Sequence, residues 1–145
     1  MDWFDSDYYH ILYKHRDYNE ARNFIDNIIK YLNIKKGSKI LDLACGIGRH
    51  SIYLEKIGFK VVGTDKSLNN INKAKASQNQ SLSFLQMEMI EDTNNRYDGI
   101  FNLFTSFGYV NHDYNLKTIK NIEKQLKDDG IIVVDFMNTL FVKNN

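Results

Sequence analysis

Ile40-Leu41-Asp42-Leu43-Ala44-Cys45-Gly46-Ile47-Gly48-Arg49-His50-Ser51 decides how this chain folds. Ile40 to Cys45 is a short, mostly apolar run, the pattern of a strand covered on both faces of a parallel sheet. Gly46 and Gly48 then let the backbone turn sharply and let a ligand approach the main chain closely. A helix is expected to begin near Gly48, so its unpaired amides and positive dipole end face the same loop. Strand, glycine loop and helix together seat polar or anionic ligand groups at the carboxyl end of the strand. The same residues also read as a tight strand-to-helix turn with no ligand, and the glycines alone do not separate the two readings.

Upstream, Ala21, Phe24, Ile25, Ile28, Ile29 and Leu32 recur at three- and four-residue spacing, which predicts a helix from about Tyr18 to Leu32. Before it, Trp3 to Arg16 is crowded with aromatics, and Tyr9, Leu12 and Tyr13 share one helical face. That segment reads either as a short helix packed by its rings or as a lid. As a lid it would bring tyrosine hydroxyls, Tyr13 among them, and Arg16 to a small ligand. Two helices therefore precede the first strand. Residues 1–36 are expected to form a helical cap on one α/β domain over 37–145.

Downstream, strands and helices alternate. A helix over Arg49 to Lys56 is followed by a strand over Phe59 to Thr64 that ends at Asp65. Ser67 is the expected N-cap of a helix from Leu68 to about Gln78. Strands are expected at Leu82 to Gln86 and Tyr97 to Leu103. A helix over Asp113 to Lys127 should bury Leu116, Ile119, Ile122 and Leu126. Asp128-Asp129-Gly130 should then turn the chain into a fifth strand, Ile131 to Phe136. This alternation predicts a doubly wound, Rossmann-like sheet of about five parallel strands.

The 145 residues suit one domain. A formal charge of +1 gives no general footprint for nucleic acid or a membrane surface. The single cysteine, Cys45, rules out an intrachain disulfide framework and reads as a packed thiol. No apolar run is long enough to span a bilayer, and the acidic, aromatic start is unlike a secretory signal. A cytoplasmic protein is expected.

In such sheets the ligand lies at the carboxyl ends of the strands, where neighbouring connections diverge. The glycine loop, Asp65, Glu88-Met89, Asn102 to Gly108 and Asp135 to Asn138 fall there. Asp65, about 20 residues beyond the glycine loop, suits a carboxylate that accepts from two vicinal hydroxyls of a ribose. Its alternative is a turn or cap carboxylate. Glu88 reads equally as a ligand contact or a solvated acid. Two nucleotide-type ligands remain open on these residues. Gly46 to Ser51 is close to the dinucleotide fingerprint, which would make this a nicotinamide-dependent oxidoreductase. Against it stand the two preceding helices and the lack of a dyad for hydride transfer.

The order of motifs resembles the class I S-adenosylmethionine-dependent methyltransferases, in a bacterial small-molecule-type branch. Asp42 to Gly48 looks like the glycine-rich first motif. Val61-Val62-Gly63-Thr64-Asp65-Lys66-Ser67 looks like the second, Tyr97 to Leu103 like the fourth strand, and Asp129 to Asp135 like the turn and fifth strand. Phe104-Thr105-Ser106-Phe107-Gly108-Tyr109 fits the same branch. The resemblance implies S-adenosyl-L-methionine as cofactor and methyl transfer to a small molecule. It would set Gly46 and Gly48 against the methionine part of the cofactor and Asp65 on the ribose. Lys66 and Ser67 would lie beside the adenine. Glu88 replaces a common aspartate, with Met89 packing on the adenine ring. Asn102 and Phe104 would flank the sulfonium; independently of the resemblance, the lid reading of the N-terminal segment would have Tyr13 and Arg16 hold the cofactor. The resemblance names no catalytic base; His10, His15, His50 and His112 are available. No metal is implied.

The family's full sheet has seven strands, and here little follows the fifth. The expectation is a truncated or two-chain enzyme that lacks the last two strands, whose fifth strand is an exposed apolar edge prone to self-association. A cofactor-binding fragment with no turnover of its own is the alternative.

Overall fold

A computed structural model of the chain describes residues 11, 17–138, 140 and 143. The aromatic segment before Asp17, with Tyr13 and Arg16, lies outside the described residues apart from Ile11.

Among the described residues the first full element is helix α1, Tyr18–Tyr31, capped by Asp17, whose carboxylate accepts from the amides of Asn19 and Glu20 at 2.9 and 3.0 Å. Then follow β1 (Lys39–Leu43), α2 (Arg49–Lys56), β2 (Lys60–Asp65) and α3 (Leu68–Ala74), which tightens into a 3-10 turn over Lys75–Ser77. Next come β3 (Leu82–Gln86), β4 (Tyr97–Asn102), α4 (His112–Gln125) and β5 (Leu126–Val134). The five strands are parallel in the order β3-β2-β1-β4-β5. The chain thus builds outward from β1 to β3, then returns to the other side of β1. That reversal between β1 and β4 opens a crevice at the strand ends.

Burial follows strand position. In β1, Ile40 to Leu43 are all buried, and in β4 only Asp98 is not. On one sheet face, Ile25 of α1, Leu54 of α2 and Ile71 of α3 pack with Ile40, Val61, Phe84 and Phe101. On the other, Ile122 of α4 packs with Leu41, Leu43, Tyr97 and Ile100. α1 and α2 are also tied by Tyr53, whose hydroxyl donates to Asp26 at 2.8 Å.

Three expectations need correction. The helix after Ser67 is shorter than Leu68 to Gln78, because its last turn tightens to 3-10. The Asp128-Asp129-Gly130 turn is taken up inside β5: Tyr97 pairs with Leu126 but Gly99 with Ile131, so the intervening residues loop out of the ladder. The buried face of α4 is not the apolar one. Leu116 and Ile119 are 43% and 51% exposed, whereas Thr118, Asn121 and Gln125 are buried beside Ile122. The reason is a polar grip on the loop between β3 and β4. Asn121 donates to the carbonyls of Met89 and Glu91, both at 2.8 Å, and the Gln125 carbonyl accepts from the Thr93 amide at 2.9 Å. Buried backbone groups of a helix-free connection need such partners, and satisfying them decides how α4 is rotated.

Candidate functional site

At the carboxyl ends of the strands lies a cavity of about 400 Å³, a size that suits a nucleoside-type ligand. Its walls come from the glycine loop, the end of β2, the segment after β3, the loop after β4 and the start of α4.

The glycine loop begins with strain. Ala44 has φ +62, a backbone region costly for a side chain, directly after β1. Gly46 and Gly48 continue it at φ +57 and +82 without that cost. Gly46 lines the cavity. Gly48 stands behind the wall: it is the N-cap of α2, and a Cβ there would lie 2.7 Å from the ring of Phe84.

Asp65 pins this loop. One carboxylate oxygen accepts from the Gly46 amide at 2.8 Å, and the other from the Ser67 amide at 2.9 Å. The Asn70 amide makes a longer contact of 3.5 Å to the oxygen that Ser67 holds, so with roughly two acceptor sites per oxygen the capacity left for a hydroxyl donor is on the oxygen that Gly46 holds. Burial pushes the Asp65 carboxyl up, against the lowering by these amides. Ser67 itself caps α3, accepting from the Asn70 amide at 3.1 Å, and lies behind the wall that Lys66 joins.

Beneath the loop, Asp42 is fully buried and accepts from the Ser51 hydroxyl at 2.5 Å. Burial, with the charge of Asp65, raises its carboxyl to about 6 despite that bond. The same two carboxylates and burial raise the Cys45 thiol, which is therefore a packed, protonated group in the wall.

After β3, Met87, Glu88 and Met89 line the cavity. Glu88 is exposed, and one carboxylate oxygen accepts from the Tyr114 hydroxyl at 2.6 Å. At β4, Asn102 is buried behind the wall, where its amide donates to the Leu43 carbonyl at 2.8 Å and contacts the Met89 sulfur at 3.5 Å. Its carbonyl oxygen is buried with no partner among the described residues. Asn102 therefore ties the β1 and β4 ends together across the switch point.

The loop after β4 is strained twice. Phe104 and Thr105 have φ +68 and +53, and neither is glycine. Asp135, just past β5, accepts from the Phe104 amide at 3.0 Å. The Arg49 guanidinium lies 5.6 Å from the centroid of the Phe104 ring, within cation–π reach. Arg49, His50, Ser106, Tyr109 and Tyr114 join this wall and were not singled out as binding residues from sequence. His50 is buried with its ring tilted against Phe24 at 5.8 Å. Of the other histidines, His112 is exposed at the start of α4, and His10 and His15 lie outside the described residues.

Of the sequence-derived candidates, Gly46, Asp65, Lys66, Glu88, Met89 and Phe104 meet around one cavity. The chemistry of that cavity is selective. The Gly46 amide is already given to Asp65, and two carboxylates sit against the loop. A pyrophosphate there would face like charge, whereas a ligand with ribose hydroxyls and a cationic centre is matched. The residues fit S-adenosyl-L-methionine in this respect.

Residues 13–141 match the methyltransferase domain family. The chain is 32% identical over 132 residues to the Bacillus subtilis (strain 168) protein YqeM, which carries a methyltransferase name; the match covers 88% of this chain and 51% of that protein. A glycine/sarcosine N-methyltransferase of Halorhodospira halochloris is 29% identical over 127 residues, covering 83% and 47% respectively. In structure, an S-adenosylmethionine-dependent methyltransferase from Clostridium acetobutylicum ATCC 824 aligns with a TM-score of 0.73 at 26% identity, over 88% of this chain and 55% of that one. The chain spans about half the length of these relatives. With four motifs in order on the expected strands, and a family match over nearly all of its length, the chain belongs to the class I S-adenosylmethionine-dependent methyltransferases.

Proposed function

We propose that this chain binds S-adenosyl-L-methionine in the cavity at the β1/β4 switch point and serves methyl transfer to a small-molecule acceptor. The observation that carries this reading is the pair of carboxylates at the glycine loop. Asp65 offers acceptors for ribose hydroxyls, and Asp42 adds a buried charge that favours a cationic ligand over an anionic one.

In this reading Asp65 holds the ribose, and Lys66, Met87, Glu88 and Met89 surround the adenine. Leu103, Phe104 and Ser106 line the reacting end. When bound, the cofactor supplies a methyl carbon made electrophilic by its sulfonium sulfur. The protein then contributes mainly alignment: the Asp65 end fixes the nucleoside, and the Asp135-held loop fixes the wall on the acceptor side. A nucleophile that arrives deprotonated needs no base, and none is assigned. The glycine/sarcosine relative supports a small amine as one acceptor class to try first.

Titration calorimetry with S-adenosylhomocysteine and, separately, with a nicotinamide dinucleotide tests the cofactor. Binding of S-adenosylhomocysteine is expected, weakened by about 1–3 kcal/mol in Asp65→Ala through loss of charge-assisted hydrogen bonds. Binding of the dinucleotide alone would overturn the reading.

A second reading, a cofactor-binding unit without turnover of its own, is favoured by the far edge of the sheet. Ile132 and Val134 of β5 are 47% and 44% exposed on the outermost strand, with Phe136 and Met137 exposed beyond it. In this reading a second copy of the chain covers that edge, as unpaired strands favour. Sedimentation at low concentration, followed by turnover of labelled cofactor, separates the two; an active monomer rejects the second reading.

A further inference from the structure

We infer that Tyr114 is a positioning residue that makes this site selective for a purine bearing an exocyclic amine, by fixing the carboxylate of Glu88. The inference rests on the cofactor reading above and concerns the end of the cavity beyond Asp65. Asp65 pairs with Gln86 across β2 and β3, and the Met87 amide donates to the Asp65 carbonyl at 3.0 Å. A base attached to a ribose held by Asp65 therefore meets the segment Met87 to Met89 next.

Glu88 is exposed, and a glutamate there has three free torsions. Alone it would sample many positions and recognise little. Tyr114 removes that freedom. Its hydroxyl donates to Oε2 of Glu88 at 2.6 Å, and both residues line the cavity. Among the described residues, the other oxygen, Oε1, accepts no hydrogen bond, so it is left for a ligand. The mount is rigid. Asn121, on the same face of α4, holds the carbonyls of Met89 and Glu91, and the Asn111 side chain caps the helix by accepting from the Tyr114 amide at 2.9 Å. Burial and the Glu88 charge raise the Tyr114 phenol, so it stays a donor over the working pH range.

An ionised carboxylate only accepts. Oε1 therefore matches the amine of adenine and opposes the carbonyl oxygen of hypoxanthine, which also only accepts. Desolvating the mismatched pair is what creates the discrimination.

The test is calorimetry on the full chain with S-adenosylhomocysteine and S-inosylhomocysteine. The wild-type chain should prefer the adenosyl compound by about tenfold, the size of one charge-assisted hydrogen bond at a partly wet site. Tyr114→Phe should narrow that preference to about threefold, mainly by weakening the adenosyl compound, with the melting temperature nearly unchanged. Glu88→Gln should abolish the preference, because an amide both donates and accepts, and adding Tyr114→Phe to it should then change nothing further. Equal weakening of both compounds by Tyr114→Phe, or no change in either, overturns the assignment of Tyr114 while leaving the cofactor reading standing. Failure of the wild-type chain to bind S-adenosylhomocysteine overturns both.

Discussion

Two loops face each other across the switch point, and each is pinned in the same way. Asp65 accepts the Gly46 amide at 2.8 Å, and Asp135 accepts the Phe104 amide at 3.0 Å. They differ in where the cost of building a site is stored. The loop after β1 takes its left-handed turns mostly through glycine, so past Ala44 its backbone is relaxed. Its cost is electrostatic, in the buried carboxylate of Asp42. The loop after β4 carries no such buried charge, but it holds Phe104 and Thr105 in a conformation that side chains resist. One wall is strained in its field and the other in its backbone.

The comparison breaks most sharply at Gly48. Alanine there must hold φ +82, and its Cβ would meet Phe84 at 2.7 Å. Overpacking and the left-handed penalty together should cost about 3 kcal/mol in urea denaturation. Phe84→Leu in the same chain should return part of that loss. A Gly48→Ala chain of wild-type stability would mean the loop relaxes freely and is not the stiff wall described.

The electrostatic side is sharpened at Asp42. Its carboxyl is raised from 3.8 to about 6 in the folded chain, so the folded state binds this proton more tightly than the unfolded one. The stability from this group is fully present below about pH 4 and is lost as pH rises to about 6. Above that, the ionised group costs of order 3 kcal/mol. Asp42→Asn keeps the acceptor for Ser51 and removes the charge. Its stability relative to the wild type should match near pH 4, grow through pH 5, and level off above about pH 7. S-adenosylmethionine affinity should fall by more than that of S-adenosylhomocysteine, whose neutral thioether lacks the sulfonium charge. Parallel pH profiles for the two chains would show that Asp42 is not the source.

The two regions were also unequally legible in the sequence. Gly46, Gly48 and Asp65 could be placed because a glycine that must turn and an acid at the end of a strand leave local marks. The parallel, doubly wound sheet followed from alternation, and the Ser67 cap from its position before Leu68. The loop after β4 was located, with Phe104 named through the family resemblance, but its strain was not legible, since it goes with a hydrogen bond to Asp135 about thirty residues later. α4 misled for the same reason. Leu116 and Ile119 satisfy helical periodicity, but Asn121 and Gln125 are drawn inward by carbonyls and amides of the β3–β4 loop, which periodicity does not count. Tyr114 was missed with them. A polar stripe at 114, 118, 121 and 125 was the available signal, and it reads as a solvated face until the loop it grips is known.

The smallest effect has the opposite sign. Thr105 is β-branched and sits at φ +53, where its side chain crowds the backbone. Glycine removes that clash but gains freedom in the unfolded chain, which offsets part of the relief. Thr105→Gly should therefore stabilise the fold by about 0.5 kcal/mol, where Gly48→Ala costs several times as much. The gain should carry a loss. A looser Leu103–Ser106 wall holds the ligand less well, so S-adenosylhomocysteine affinity should drop although no contact atom was removed. Measured together, the two numbers separate strain kept for positioning from strain that is incidental. A more stable chain with unchanged affinity would mean the β4 loop is strained without purpose, and only the glycine loop would remain a built wall.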